Sequence, residues 1–323
     1  MTTIVTGAAG FIGHHVAQAL LARGEAVVGV DNLSSYYDVA LKRARLAQVP
    51  PGAPFEFVQA DIADRGAMEA VFARRSEATH VIHLAAQAGV RHSMVDPYAY
   101  VSANVMGHVV VLEAARRLPR LEHFVFASSS SVYGLNALPF AEADRVDTPI
   151  SLYAATKRAD ELVAHAYGHL FQVPQTGLRF FTAYGPWGRP DMAYYGFARA
   201  IVAGEPITLY DGGSVSRDFT YIDDIVAGVL GVAAAPPGAG EAVRLLNIGN
   251  HRSETVARLV ALLEAALGRR AVVRSVPRPL ADVADTFADI GRIAGLTGYC
   301  PRTGLAEGIE RFVAWFRAYH GDA

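Results

Sequence analysis

Apolar and polar positions along this chain follow two rhythms. Short apolar runs open at Thr3 and recur at Glu25 to Asp31, Phe55 to Gln59, His80 to Ala86, Glu122 to Ala127 and Thr176 to Phe181, each the length of a buried strand. Between them lie stretches with helical spacing. One starts near Phe11, one runs from Val39 to Gln48 and is ended by Pro50-Pro51-Gly52, one runs from about Pro97 to Arg117, and one from about Leu152 to Phe171. Pro97 suits a first helical turn, where its missing N–H has no intrahelical acceptor to lose. Strand and helix alternating through roughly the first 180 residues predict an α/β fold on a doubly wound parallel sheet covered on both faces. Beyond Phe181, the segment Thr182 to Met192 is too crowded with turn formers for a regular element.

Composition narrows this picture. With 323 residues, 52% of them hydrophobic, the chain is long enough for one large domain and a smaller one. A formal net charge of −2 gives no electrostatic reason to expect a nucleic-acid partner. The apolar run Ile225 to Ala235 is stopped by Pro236-Pro237, well short of a membrane span. Cys300 is the single cysteine, so no internal disulfide is possible and a reducing compartment is expected. Met1 to Ile4 runs directly into the first strand and leaves no room for a signal peptide. These features together lead us to expect a soluble, cytoplasmic protein.

The candidate chemistry begins in the first turn. Thr3-Ile-Val-Thr-Gly-Ala-Ala-Gly-Phe-Ile-Gly13 places three glycines between a strand and a helix, the context of a pyrophosphate site. Gly7 permits the tight turn, Gly10 lets the backbone approach the phosphates and Gly13 lets helix and strand pack closely. The helix N-terminus then faces the anion. Asp31, ending the second strand, is placed to hydrogen-bond an adenosine ribose and would repel a 2′-phosphate, which points to NAD over NADP. Farther on, Ser151-Leu-Tyr-Ala-Ala-Thr-Lys157 sets Tyr153 and Lys157 four positions apart, on one helix face. A phenol is a poor base at neutral pH, but a neighbouring ammonium favours the phenolate. Only Lys42 and Lys157 among the 29 basic residues are lysine, so a chain that otherwise writes its cations as arginine has a lysine here. His80 and His83 resemble a metal pair on paper; on a strand their spacing turns the two rings to opposite faces, and no metal is expected.

The glycines at 7, 10 and 13, followed by Tyr153 and Lys157, resemble the extended short-chain dehydrogenase/reductase superfamily over nearly the whole chain. The resemblance implies that Ser129, four residues before the tyrosine of Val132-Tyr-Gly134, completes a catalytic triad with Tyr153 and Lys157. It also implies that Ser130 and Ser131 line a sugar pocket. It adds Phe11, Ile12 and Asn32 to the cofactor-binding set and places Leu84-Ala85-Ala86 under a nicotinamide ribose. Asp61-Ile62 would touch the adenine, with Asp61 as a helix N-cap the alternative, which does not exclude that contact. In relatives the two long helices, near 97–117 and 152–171, form a four-helix homodimer interface; otherwise their apolar faces pack inside one subunit.

A more specific likeness follows the sixth strand. Gly185-Pro-Trp-Gly-Arg-Pro-Asp-Met-Ala193, with Ser93-Met-Val-Asp-Pro97 upstream, closely resembles UDP-glucuronate 4-epimerases. By that resemblance Thr182, Arg189 and the serines surround a sugar carboxylate, Arg217 binds the diphosphate, Asp282 reaches the nucleotide, and Arg91 joins the substrate contacts. Relatives often have Thr where Ser129 stands and glycine where Ala281 stands. The implied reaction is NAD-dependent C4 epimerisation of UDP-glucuronic acid to UDP-galacturonic acid through a transient 4-keto sugar, without decarboxylation. The alternatives are a UDP-glucuronate decarboxylase, a neutral UDP-hexose 4-epimerase and a non-catalytic NAD-binding protein. Decarboxylases tend to have an acid where Ser131 stands, and a non-catalytic relative would typically have lost Tyr153 or Lys157. The implied organisation is an NAD-binding domain at 1–180 with returning segments at about 217–250, and a discontinuous substrate domain mainly within 181–323.

Overall fold

The first strand, β1 (Thr2–Thr6), lies inside the main sheet between β4 and β2, with α1 packed on it. The computed structural model describes residues 1–238, 240–279 and 283–321. After β1 come α1 (Phe11–Ala22), β2 (Ala26–Asp31), α2 (Val39–Leu46), β3 (Phe55–Gln59), α3 (Arg65–Arg74) and β4 (His80–His83). Next follow α4 (Pro97–Tyr100), α5 (Gly107–Ala115), β5 (His123–Ser129), α6 (Leu152–Phe171) and β6 (Gln175–Phe180). The remainder comprises β7 (Thr182–Tyr184), α7 (Ala193–Ala203), β8 (Pro206–Tyr210), β9 (Ser216–Tyr221), α8 (Ile222–Ala233) and β10 (Val243–Ile248). The chain finishes with β11 (Ser253–Thr255), α9 (Val256–Leu267), β12 (Val272–Val276), α10 (Gly291–Thr297) and α11 (Leu305–His320).

Seven strands form one parallel sheet in the order β10-β6-β5-β4-β1-β2-β3. Parallel strands buried on both faces read as near-continuous apolar runs, which is why the sequence signals them so plainly. One face is covered by α1 and α8, the other by α3, α5 and α6. His80 and His83 confirm the alternation: His83 bonds Thr6 and packs on His108 of α5, whereas His80 lies near His123 and the backbone of Ala233 in α8. The sheet order reverses between β1 and β4. The crevice above their carboxyl ends is where open α/β sheets take ligands. The later elements build a cap beside it: a three-stranded sheet β11-β9-β7, a β12-β8 pair, and the mutually packed helices α7, α9 and α11.

Two expectations are corrected. The segment Thr182 to Met192, expected to hold no regular element, opens with the three-residue strand β7, which pairs with β9. The helix foreseen from Pro97 to Arg117 forms from Pro97 to Ala115, with its backbone widened into a π-helical turn at Val101–Met106 between α4 and α5. Asp61 is not a helix N-cap, because the acid that caps α3 is Asp64, whose side chain accepts from Ala67 N.

Candidate active site

The loops after β1, β2 and β3 converge on one place. Gly7 takes a positive φ of 74° and donates its N–H to Val30 O at 2.7 Å; Gly10 N closes the turn on Gly7 O at 2.9 Å. A Cβ on Gly13 would overlap Gly7 O, and one on Gly7 would lie 2.8 Å from Ala85 N. The turn is therefore a cradle that side chains would fill, with Leu84-Ala85-Ala86 resting against it. Asp31 is buried, and its carboxylate accepts from Ala9 N at 3.1 Å and Leu33 N at 2.8 Å, which ties the glycine turn to the next loop. Asn32 donates to Asp61 Oδ2 at 2.9 Å, joining the loop after β3. Phe11 and Ile62 are buried, the latter beneath Gly107, while Ile12 is half-buried. A bare helix N-terminus, a backbone-lined cradle and an acid at the end of β2 are the features that fit a dinucleotide.

Tyr153 and Lys157 stand on the first two turns of α6, which Ser151 caps by accepting from Ala154 N at 3.1 Å. Lys157 is buried, and its Nζ donates to Ala127 O at 3.0 Å and to Asp160 Oδ2 at 3.1 Å. Burial pushes the Asp160 carboxyl up to about 6, against the opposing pull of Lys157. Ser129 ends β5, and its hydroxyl oxygen accepts from Ser131 N at 3.2 Å; Ser130 and Ser131 sit on the short 3-10 turn that follows. Ser128, the first of the four serines, faces away from this cluster and donates to Glu161 at 2.6 Å. Glu161 is held by the Nε–Nη2 fork of buried Arg179, at 2.8 and 2.9 Å, so α6 is pinned to β5 and β6 at once. The π-helical turn supplies Asn104, which bonds both backbone groups of Gln87 and donates to Thr156 Oγ1 at 2.9 Å. This residue couples the loop after β4 to α6. π-bulges tend to occur where a side chain must be re-aimed in this way.

On the far side of the crevice, Thr182 opens β7 and is half-buried. Arg189 lies in the loop before α7, with its guanidinium forked onto Asp191: Nε to Oδ1 at 3.0 Å and Nη2 to Oδ2 at 2.5 Å. Tyr36 also donates to Asp191, at 3.2 Å, and Tyr100 stands edge-on to Tyr153. Buried Arg45 of α2 spans the two sides, donating to Ala9 O on the glycine turn and to Trp187 O and Gly188 O on the Arg189 loop. Arg217, the second residue of β9, bonds Ser216 O and Ala284 O, while Arg91 lies 4.6 Å over the Tyr210 ring. Asp282 lies outside the described residues.

Sequence reasoning overlooked Asp160, Asn104, Tyr36 and Asp191. Asp160 carried a signal, since i, i+3 from Lys157 is a contact spacing on a helix. The partners of Asn104 and Tyr36 come from other elements and have no sequence signature.

The comparisons with known proteins agree with this geometry. Residues 3–249 match the model of the NAD dependent epimerase/dehydratase family. The chain is 44% identical to a probable UDP-glucuronate 4-epimerase of Rhizobium meliloti, over 98% of this chain and 97% of that one. It is 46% identical to UDP-glucuronate 4-epimerase 1 of Arabidopsis thaliana, over 99% of this chain and 78% of that one. The crystal structure of a UDP-glucuronic acid 4-epimerase from Bacillus cereus, in complex with UDP-glucuronic acid and NAD, superposes with a TM-score of 0.91 at 32% identity, covering 99% of this chain and 100% of that one. With the cradle, the tyrosine–lysine helix and these full-length likenesses in agreement, the chain belongs to the NAD-dependent epimerase/dehydratase family.

Proposed function

We propose that this protein is an isomerase that interconverts UDP-glucuronic acid and UDP-galacturonic acid at C4, with NAD as a tightly held cofactor. The observation that carries this reading is the full-length likeness to UDP-glucuronate 4-epimerases in a chain with Tyr153 and Lys157 on the first turns of α6 and Ser129 at the end of β5. Gly7, Gly10, Phe11, Ile12 and Gly13 would hold the pyrophosphate, Asp31 and Asn32 the adenosine ribose, Asp61 and Ile62 the adenine, and Leu84 to Ala86 with Lys157 the nicotinamide ribose. The chemistry that NAD supplies when bound is reversible hydride acceptance from C4.

The residues do the rest. Tyr153, as phenolate, takes the proton of the C4 hydroxyl, and Ser129 hydrogen-bonds the same oxygen. The Lys157 ammonium stabilises the phenolate, and its bonds to Ala127 O and Asp160 fix where that charge sits. The 4-keto sugar turns over in the pocket, and Tyr153 returns the proton to O4 once the other face is presented. A C4 ketone makes the C5 carboxylate a β-keto acid, which loses carbon dioxide whenever its C5–C6 bond aligns with the carbonyl π system. Arg189, Thr182, Ser130 and Ser131 hold the carboxylate out of that alignment; Arg217 and Arg91 bind the UDP side.

The reading extends to assembly and place. Tyr98, Val101 and Met106 before α5, and Leu162, Leu170 and Phe171 on α6, are large apolar side chains left exposed. Their exposure on the two helical segments supports a homodimer joined there. No helix among the described residues is long and apolar enough to cross a membrane, and the one cysteine, Cys300, is exposed and free, which supports a reducing, cytoplasmic setting. We assign dinucleotide binding to 1–180 with the 217–250 return, and sugar binding mainly to the rest.

Tyr153→Phe tests the mechanism. It removes the proton acceptor without changing the ring's packing, so turnover should fall by roughly two to four orders of magnitude while NAD stays bound. Near-normal turnover would remove Tyr153 from the mechanism.

A further inference from the structure

Arg189 is occupied by a carboxylate of this chain, and the manner of its occupation has a consequence for the substrate. Asp191 takes the Nε and Nη2 edge of the guanidinium, at 3.0 and 2.5 Å. Burial would raise the Asp191 carboxyl, but Arg189 and its hydrogen bonds outweigh this and hold it below the ordinary carboxylate range. Tyr36 donates its hydroxyl to the same Oδ2 at 3.2 Å. Gly89, at φ 109°, leaves the space this requires: a Cβ there would lie 2.8 Å from the Tyr36 hydroxyl oxygen and 3.7 Å from Asp191 Oδ2. The pair is not sealed, since the side chains of Arg189 and Asp191 keep 21% and 26% of their surface exposed. A guanidinium has a second fork, formed by Nη1 and the remaining N–H of Nη2, and Asp191 does not use it.

We propose that Asp191 and Tyr36 are positioning residues for the sugar-carboxylate anchor: they lock one edge of Arg189 so that its other fork is presented to the substrate. The inference rests on Arg189 being that anchor. A guanidinium fixed before the substrate arrives loses little rotamer freedom on binding, and a planar fork held in one plane also fixes the plane of the carboxylate it binds. Tyr36 lies five residues beyond Asp31, on the loop that Asp31 itself organises through Leu33 N. The cofactor-side loop and the sugar anchor are thereby built as one piece.

The test is the affinity of the NAD-loaded protein for UDP-glucuronic acid and for UDP-glucose, with the epimer-to-pentose product ratio from UDP-glucuronic acid, in Asp191→Ala, Tyr36→Phe and Arg189→Ala. NAD content and melting temperature report whether each variant is folded. Asp191→Ala should weaken UDP-glucuronic acid binding about tenfold, leave UDP-glucose within about twofold, and raise the pentose fraction. Tyr36→Phe, which deletes one oxygen, should move the same readings the same way by about two- to threefold. If Arg189→Ala shifts affinity and product ratio while Asp191→Ala and Tyr36→Phe do not, the positioning role is overturned and the anchor stands. Tighter binding of UDP-glucuronic acid in Asp191→Ala would overturn it as well, making Asp191 a competitor for the fork. If Arg189→Ala changes neither reading, the anchor itself is wrong.

Discussion

Lys157 shows how a single side chain is readied for work. Its ammonium has three N–H bonds; Ala127 O and Asp160 Oδ2 take two of them, and among the described residues no further hydrogen bond of Nζ is seen. A buried cation is costly unless paired, and Asp160, itself buried, is the charge that pairs it. Asp31 works in a similar way on the cofactor side. Accepting from Ala9 N and Leu33 N, it fixes the glycine turn and the following loop while keeping a negative charge at the end of β2. A 2′-phosphate would be repelled there, so nucleotide extracted from the purified protein should be NAD. Identification by mass decides the matter, and recovery of mainly NADP would show that the charge at Asp31 does not govern the choice.

At the scale of elements, helix α6 does three jobs at once: its first turns carry Tyr153 and Lys157, its middle is clamped through Glu161 to Arg179 and Ser128, and its outer face leaves Leu162 and Leu170 bare. The boundaries of this helix were legible because Ser151 is a strong N-cap and the apolar spacing runs unbroken to Phe171. The π-helical turn inside the segment opened by Pro97 was not. The segment's apolar periodicity reads as one helix, yet Asn104 must reach both Gln87 and Thr156, and the backbone widens by a residue to allow it. No local sequence signal announces such a bond, since both partners come from elsewhere in the chain. If the bare faces pair in a homodimer, Leu162→Glu combined with Tyr98→Glu should give a folded monomer in sedimentation analysis. An unchanged sedimentation coefficient, whether monomer or dimer in the parent, would place the interface elsewhere or remove it.

Across the whole molecule, what the sequence could tell follows from what is local. The parallel sheet, the glycine cradle and the tyrosine–lysine face rest on short-range spacing and were readable, as was the superfamily likeness they carry. Arg45, which bonds Ala9, Trp187 and Gly188 across the crevice, was not, because a buried arginine in a polar-looking α2 shows no local sign of its distant acceptors. Acid sensitivity is likewise a property of the assembled core. Burial drives His14 and His108 down to about 3 and His15 and His123 to about 4, from an ordinary 6.5. Their folded forms stay neutral while the unfolded chain takes up protons, so their contribution to stability is complete above pH 6.5 and lost as pH falls toward 4 and 3. At about pH 5 each group costs about 2 kcal/mol relative to neutral pH. His108, packed against Phe124 and Phe126 with neither ring nitrogen bonded among the described residues, is the clearest case. His108→Phe should flatten the fall of melting temperature with acidity, and a curve parallel to the parent's would show that this ring titrates freely. The central claim is tested most directly by incubating the purified protein with UDP-glucuronic acid, without added NAD, and resolving the products. The account predicts UDP-galacturonic acid accumulating to a fixed ratio with its precursor and little UDP-pentose; a UDP-pentose with carbon dioxide as the main product, or no conversion by protein shown to hold NAD, would contradict it.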